Sequence, residues 1–141
     1  MKKILILNSN YYKDISKNLF LNAKKKFAQN NFLTHKLDVP GIYEIPVAIK
    51  RNIKKYDGFV ALGCVIKGET PHFDFICSSV FNSILSLSIN YNKPIGNGII
   101  TALNNNQAKN RSTTNSKNKP NKGSEAANAV IVILKNEPKK I

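Results

Sequence analysis

Short apolar runs alternate with amphipathic stretches along the chain. Lys3–Leu7 is an apolar run that ends at a polar Asn-Ser-Asn triplet, which is typical of a buried strand. Apolar residues then recur at every fourth position from Ile15 to Phe27, which predicts a helix with one apolar face and with Asp14 as its cap. Asp57–Ile66 is apolar at odd and even positions alike, so we expect it to form a central parallel strand.

The same patterns predict the remaining elements. Two further strands are expected at Phe32–Leu37 and Pro94–Thr101. The other predicted helices are Ile45–Lys55, His72 to about Asn90, Asn104–Arg111 and Lys122–Asn136, with a polar loop at Ser112–Asn121. Strands and helices that alternate at these lengths are typical of an α/β fold, an open and mainly parallel sheet with helices on both faces. We expect one domain spanning residues 1–141.

Ligands of open parallel sheets bind beyond the carboxyl ends of the strands, near the point where the strand order reverses. This rule predicts that the site is built from segments that directly follow predicted strands or lie at their ends. They are Ser9–Tyr12, Pro40–Glu44, Val65–His72, Gly96–Gly98 and the loops near Arg111.

Composition limits the class of protein. With 141 residues, 42% hydrophobic and 21% charged, the chain can bury a core without disulfides. Two cysteines, Cys64 and Cys77, form no disulfide framework and favour a reducing, cytoplasmic setting. The N-terminal apolar run is too short for a signal peptide, and no run approaches the ~18 apolar residues of a membrane span. We therefore expect neither secretion nor membrane insertion.

The formal net charge of +14 raises the question of nucleic-acid binding. However, only Arg51 and Arg111 of the 22 basic residues are arginine, the residue suited to bidentate phosphate and base contacts. Asn and Ile, which share A- and T-rich codons with Lys, are also abundant, and the lysines are scattered without interleaved aromatic residues. We interpret the charge as a solvated surface that can attract anionic small molecules, and we expect no nucleic-acid partner.

The segment from Ile66 to His72 combines groups that suit an anion and a proton transfer. Gly68 would let the backbone approach a ligand, and the first N–H groups of the following helix, with the Thr70 hydroxyl, would form an anion site. His72 would stand beside it as a proton-transfer group. The same pattern is equally typical of an ordinary strand-to-helix turn in which His72 is a cap or a surface residue.

Two other stretches have open interpretations. Glu44 lies in a turn that enters a helix, where the helix dipole favours a carboxylate, but it could also accept N–H bonds from a polar ligand. Tyr11 and Tyr12 follow the first strand, and they could stack on a planar ring or cover the edge of the core. Neither stretch alone distinguishes these alternatives.

Taken together, four segments resemble the 6,7-dimethyl-8-ribityllumazine synthase family. They are Pro40–Pro46 (PGIYEIP), Gly63–Asp74 (GCVIKGETPHFD), Gln107–Arg111 (QAKNR) and Asn121–Ala127 (NKGSEAA). The resemblance runs in order from Lys3 to about Leu134, and the combination of motifs is highly specific.

The resemblance implies a flavodoxin-like three-layer α/β/α sandwich with a four-stranded parallel sheet. It implies condensation of 5-amino-6-(D-ribitylamino)uracil with 3,4-dihydroxy-2-butanone 4-phosphate to 6,7-dimethyl-8-ribityllumazine, the penultimate step of riboflavin biosynthesis. Phosphate and two waters leave, and no cofactor or metal takes part. A related alternative is a family member that binds lumazine or flavin without catalysis.

The resemblance also implies roles for individual residues. His72 corresponds to the proton shuttle, and Tyr11 to the aromatic residue that stacks on the pyrimidine. Glu44 binds ribityl hydroxyls, and Arg111 from an adjacent subunit pairs with the phosphate. The other positions implied in substrate binding are Ile42, Tyr43, Val65, Ile66, Lys67, Gly68, Glu69, Thr70, Asn97 and Lys122.

The chain departs from the family pattern in three places, one of them a pair of residues. Asn10 stands where the family often has arginine, and Gly96-Asn97 replaces the common apolar-aromatic pair, so that a ring contact would become a hydrogen bond. Lys67 replaces the commoner arginine, which keeps the charge but loses the bidentate fork.

The resemblance implies an assembly with active sites between neighbouring subunits. We expect a homopentamer, single or paired face to face as a decamer, and not a sixty-subunit shell. The resemblance implies the pentamer, and the expectation against a shell rests on the first strand beginning at Lys3, without a preceding arm, and on the long polar loop Ser112–Asn121.

Overall fold

A four-stranded, all-parallel sheet forms the centre of the computed structural model, which describes residues 1–113 and 121–141. Its strands are β1 (Lys3–Ser9), β2 (Leu33–Val39), β3 (Gly58–Ile66) and β4 (Ile95–Ala102), in the order β2-β1-β3-β4. The helices are α1 (Lys13–Ala28), α2 (Ile45–Asn52), α3 (His72–Tyr91), α4 (Asn105–Ser112) and α5 (Lys122–Lys135), and a 3₁₀ turn spans Ile42–Glu44. The predicted α/β class with a parallel sheet is confirmed, and the strand order reverses between β1 and β3.

Side chains alternate between the two faces of the sheet and build two cores. On one face α1 and α5, with α4 beside them, cover the residues Ile4, Ile6, Val60, Leu62 and Ile100. On the other face α2 and α3 cover Leu5, Leu7, Phe59, Ala61 and Ile99. Because β3 contributes buried residues to both cores, it is the central strand that its continuous apolar pattern predicted.

Most predicted boundaries agree with the structure within about two residues, with two instructive exceptions. Asp14 is not the cap of α1, because Ser16 N–H already donates to the Tyr12 carbonyl oxygen at 2.9 Å and the helix starts two residues earlier, at Lys13. Tyr12 occupies the cap position, and Asp14 lies in the first turn, where the helix dipole favours a carboxylate. Helix α2 ends at Asn52 and not at Lys55, since the chain turns there with Lys55 N–H donating to the Asn52 carbonyl oxygen.

Two glycines let α5 approach its neighbours closely. A Cβ atom at Gly123 would lie 2.2 Å from the carbonyl oxygen of Leu19 in α1, and one at Gly96 would lie 2.3 Å from that of Ala126 in α5. Neither oxygen can move without displacing a helix. This contact fixes the start of α5 against α1, and α4 ends nearby at Ser112. The predicted Ser112–Asn121 loop lies, over residues 114–120, outside the described residues.

Helix α3 is the only helix, among the parts of the chain that the structure describes, whose length and composition would suit a membrane span. It packs on the sheet through Cys77, Val80 and Ile84, but only 17% of its apolar window is buried within the chain. One helix of this kind is weak evidence for a span, because core helices have the same length and composition. Its exposed side chains include Phe75, Leu85 and Ile89.

Candidate active site

A pocket of about 480 Å³ opens at the carboxyl edge of the sheet, beside the ends of β1 and β3. This is the edge at which the strand order reverses, as the rule for open parallel sheets requires. Its lining residues come from four segments. They are Ser9, Tyr11 and Tyr12, then Pro40–Glu44, then Cys64, Val65 and Ile66, and finally His72 and Ile76.

Two tyrosines form the wall that follows β1. Tyr12 packs against the core beneath α1, whereas Tyr11 is 74% exposed. The two rings meet edge to face, with centroids 5.0 Å apart and planes at 79°. An edge-to-face pair favours one relative orientation of the rings, so Tyr12 helps to orient the ring of Tyr11, most of which stays exposed.

The turn from β2 into α2 forms a second wall. Ile42 is buried against β3, where Gly63 leaves room for it: a Cβ there would lie 2.9 Å from Ile42 Cγ2. Tyr43 and Glu44 are consequently carried on an anchored turn while their own side chains stay exposed. Glu44 Oε2 accepts a hydrogen bond from the Gly41 N–H at 3.1 Å, which steadies the carboxylate at the pocket.

The inner wall of the pocket is uncharged at neutral pH. Burial raises the pKa of the Cys64 thiol to about 11. Burial also raises the pKa of Tyr12, with smaller contributions from Cys64 and Tyr11. Val65 and Ile66 complete this wall at the end of β3. A neutral, partly aromatic surface suits a planar, uncharged ring better than it suits a phosphate.

The rim beyond β3 carries the polar groups. The segment 67–72 is exposed, and the Lys67 N–H donates to the Ala102 carbonyl oxygen at 2.8 Å, which extends the contact between β3 and β4 by one residue. Helix α3 begins at His72, whose side chain reaches the pocket, with Pro71 at the cap position. A Cβ at Gly68 would meet no atom within 4 Å, so this glycine makes no close approach within the chain. Glu69 and Thr70 lie between Gly68 and Pro71, outside the pocket lining.

Three further predicted site residues, on other elements, also lie outside the pocket of their own chain. Arg111 Nη1 donates to the Thr101 carbonyl oxygen at 2.9 Å, near the end of β4. Lys122 Nζ lies 3.9 Å from Glu125 Oε1 in the first turn of α5. Asn97 Oδ1 accepts from the Ile99 N–H at 3.0 Å. None of the three lines the pocket of its own chain, and the contribution of Arg111 to an adjacent subunit stays a prediction.

Residues 1–137 match the family model described as 6,7-dimethyl-8-ribityllumazine synthase. Among similar proteins, the 6,7-dimethyl-8-ribityllumazine synthase of Bartonella tribocorum is 37% identical over 135 residues, covering 94% of this chain and 89% of the relative. The enzyme of the same name from Paramagnetospirillum magneticum is 35% identical over 143 residues, covering 95% and 93%. The chain belongs to the lumazine synthase family.

Several residues that line this pocket were not predicted individually. Ser9, Cys64 and Ile76 reach it, as does Tyr12, for which the sequence left stacking and core packing open. Ile76 stands one helical turn beyond His72, and this spacing could have revealed it. In this lumazine synthase chain, the polar groups of the site lie on the rim of the pocket and the apolar groups on its inner wall. Among residues 1–113 and 121–141, no three His, Cys, Asp or Glu side chains converge to hold a metal ion.

Proposed function

We propose that this chain condenses 5-amino-6-(D-ribitylamino)uracil with 3,4-dihydroxy-2-butanone 4-phosphate to 6,7-dimethyl-8-ribityllumazine, releasing phosphate and two waters. Membership of the lumazine synthase family supports the synthase over a non-catalytic relative. The observation that carries the proposal is one pocket shared by an exposed aromatic ring at Tyr11, a carboxylate at Glu44 and an imidazole at His72.

The pyrimidine would bind against the inner wall. Its ring would stack on Tyr11, which is largely exposed at the mouth of the pocket. Backbone groups of Val65 and Ile66 would contact the ring edge, and Glu44 would accept hydrogen bonds from ribityl hydroxyls. Ile42 and Tyr43 would complete this part of the pocket. The uncharged thiol of Cys64 leaves no ionic group behind the ring.

The phosphorylated substrate would bind at the exposed rim. Backbone N–H groups of 68–70 and the Thr70 hydroxyl would hold the phosphate, and Lys67 would add a positive charge. Imine formation requires a proton to move between the amine and the carbonyl, and loss of phosphate requires abstraction of a proton next to that imine. His72, at the start of α3 and beside both groups, would carry these protons.

A homopentamer, alone or paired with a second one, belongs to the same proposal. In it Arg111, Lys122 and Asn97 of one subunit would complete the pocket of the next. Two observations support this arrangement. Those three residues do not line their own pocket, and apolar side chains such as Val47, Leu85 and Ile89 stand exposed on α2 and α3. We further propose a cytoplasmic location, consistent with unpaired thiols at Cys64 and Cys77.

The decisive experiment mixes the purified protein with both substrates and follows the fluorescent lumazine product. We expect product at a rate well above the protein-free reaction and with no added cofactor. A protein that binds the lumazine but forms none from the substrates would be the non-catalytic relative. Light scattering on the same sample measures the mass, and we expect five or ten chains.

A further inference from the structure

Arg111 and Lys122 stand on either side of a hydrogen-bonded joint between α4 and α5. The joint is made by the side chain of Asn121, which is only 7% exposed. Its Nδ2 donates to the carbonyl oxygen of Ser112, the last residue of α4, at 2.7 Å. Its Oδ1 accepts from the N–H groups of Gly123 and Ser124, at 2.8 and 3.1 Å. Both ends of one buried amide are therefore engaged.

The two ends of this amide do different work. The oxygen caps the first turn of α5, a task that Asp, Ser or Thr performs equally well. The nitrogen ties the last carbonyl of α4 to the start of α5, and only a side chain with a donor can make that bond. The Asn121 amide supplies a donor and an acceptor on one short, rigid group. Asn121 therefore joins α4 to α5 in addition to capping α5.

Helix α4 depends on such attachments. It has eight residues, too few for a helix that is stable on its own. Asn104 caps its start by accepting from the Gln107 N–H at 3.0 Å, and Asn121 holds its end. Arg111 directly precedes the tethered Ser112, and its guanidinium already bonds the Thr101 carbonyl oxygen. The backbone that carries Arg111 is thus held at the end of α4, while its guanidinium contacts the end of β4.

We propose that Asn121 is a positioning residue for Arg111, holding that guanidinium where it meets the phosphate of the substrate. The inference rests on the proposed function. Because α5 is fixed against α1 by the close contact at Gly123, the start of α5 is a rigid anchor for the tether. Loss of the tether would let the end of α4 move while Lys122 stays in place.

Asn121→Asp tests this directly, because it keeps the shape and the cap but replaces the donor by an oxygen that repels the Ser112 carbonyl. We expect the KM for the phosphorylated butanone to rise about two- to tenfold, the equivalent of one hydrogen bond. The KM for the uracil and kcat should change less than twofold, and the melting temperature should stay close to that of the wild type. Asn121→Ala, which loses the cap as well, should raise the same KM and also lower the melting temperature.

A double variant separates positioning from a general structural role. In an Arg111→Lys background, Asn121→Asp should add no further increase to the KM for the phosphorylated butanone, because the group it positions is gone. Equal rises in both KM values, or effects that simply multiply in the double variant, would overturn the inference. An inactive wild type would instead overturn the proposed function, so the two failures are distinguishable.

Discussion

The two faces of the sheet differ in how closely their helices pack and how much apolar surface they leave exposed. On the face of α1 and α5, α5 approaches the backbones of α1 and β4 closely, and the contacts at Gly123 and Gly96 leave no space for a methyl group. On the face of α2 and α3, a pocket opens beside Tyr43 and Glu44, and apolar side chains of both helices remain exposed. The face of α1 and α5 is closely packed within the chain. The face of α2 and α3 leaves a pocket and apolar side chains accessible from outside the chain.

This difference predicts where substitutions damage folding and where they damage function. Changes within the contact of α1 and α5 should destabilise the chain without a specific effect on either substrate. Changes on the face of α2 and α3, or at the carboxyl edge, should leave a folded chain with altered assembly or altered kinetics.

Gly123→Ala should have the largest effect on stability. The added methyl group would press on the backbone of Leu19, and we expect a loss of about 3 kcal/mol in the free energy of unfolding. Urea unfolding followed by circular dichroism measures it. Gly68→Ala is the matched control, since its methyl group meets nothing within 4 Å, and it should change that free energy by less than about 0.5 kcal/mol. Similar losses in both variants would contradict the close contact.

Leu85→Lys should break the assembly without unfolding the chain. Leu85 lies on α3 and is 60% exposed, so a lysine costs the isolated chain little but places like charges together in an oligomer. Light scattering should report a mass falling from about five chains towards one. Leu21→Lys makes the same change on the outer surface of α1, where the leucine is 48% exposed. The mass of that control should stay that of the wild type.

His72→Ala should slow catalysis while leaving the fold intact. His72 is exposed at the first position of α3, so its removal leaves no cavity. We expect kcat to fall by up to about 100-fold, the usual contribution of a proton-transfer group, with orientation of the two substrates retained. Stopped assays of product fluorescence between pH 6 and pH 8 measure the loss. A variant with wild-type kcat throughout that range would exclude a role in proton transfer.

Cys64 should make the smallest contribution, visible only at alkaline pH. Its pKa of about 11 in the folded chain exceeds the ~8.5 of a free thiol. Below pH ~8.5 both states hold the proton, and the stabilisation is fully present. As pH rises towards 11, the unfolded chain releases the proton first, so the stability of the fold falls, by up to about 2 kcal/mol at pH 10.

The measurement compares urea unfolding of the wild type and Cys64→Ala from pH 8 to pH 10. The lysine titrations are common to both proteins, but Tyr12 titrates beside Cys64, so the difference between the two free energies reports the thiol together with its effect on Tyr12. That difference should shrink as pH rises. A constant difference would mean that the thiol titrates normally in the folded chain.

The sequence was most informative where periodicity reflects burial. The continuous apolar run of β3 and the spacing of four in α1 follow directly from which side chains leave water, so those elements were predicted within a few residues. The start of α1 was not, because Asp14 and Tyr12 compete for the cap and the backbone contact of Ser16 decides. The resemblance to the family assigned Arg111 and Lys122 to the site, but periodicity could not, since both residues are polar and lie outside the two apolar cores.

The bond from the Ile99 N–H to Asn97 Oδ1 has a consequence for solubility. Strand β4 lies at the edge of the sheet, where unpaired backbone groups offer a template for another strand. By accepting the Ile99 N–H, the Asn97 side chain removes one donor from that row and lies across the place where a foreign strand would dock. In a protein with 42% hydrophobic residues, this bond makes the β4 edge a poorer template for edge-to-edge aggregation.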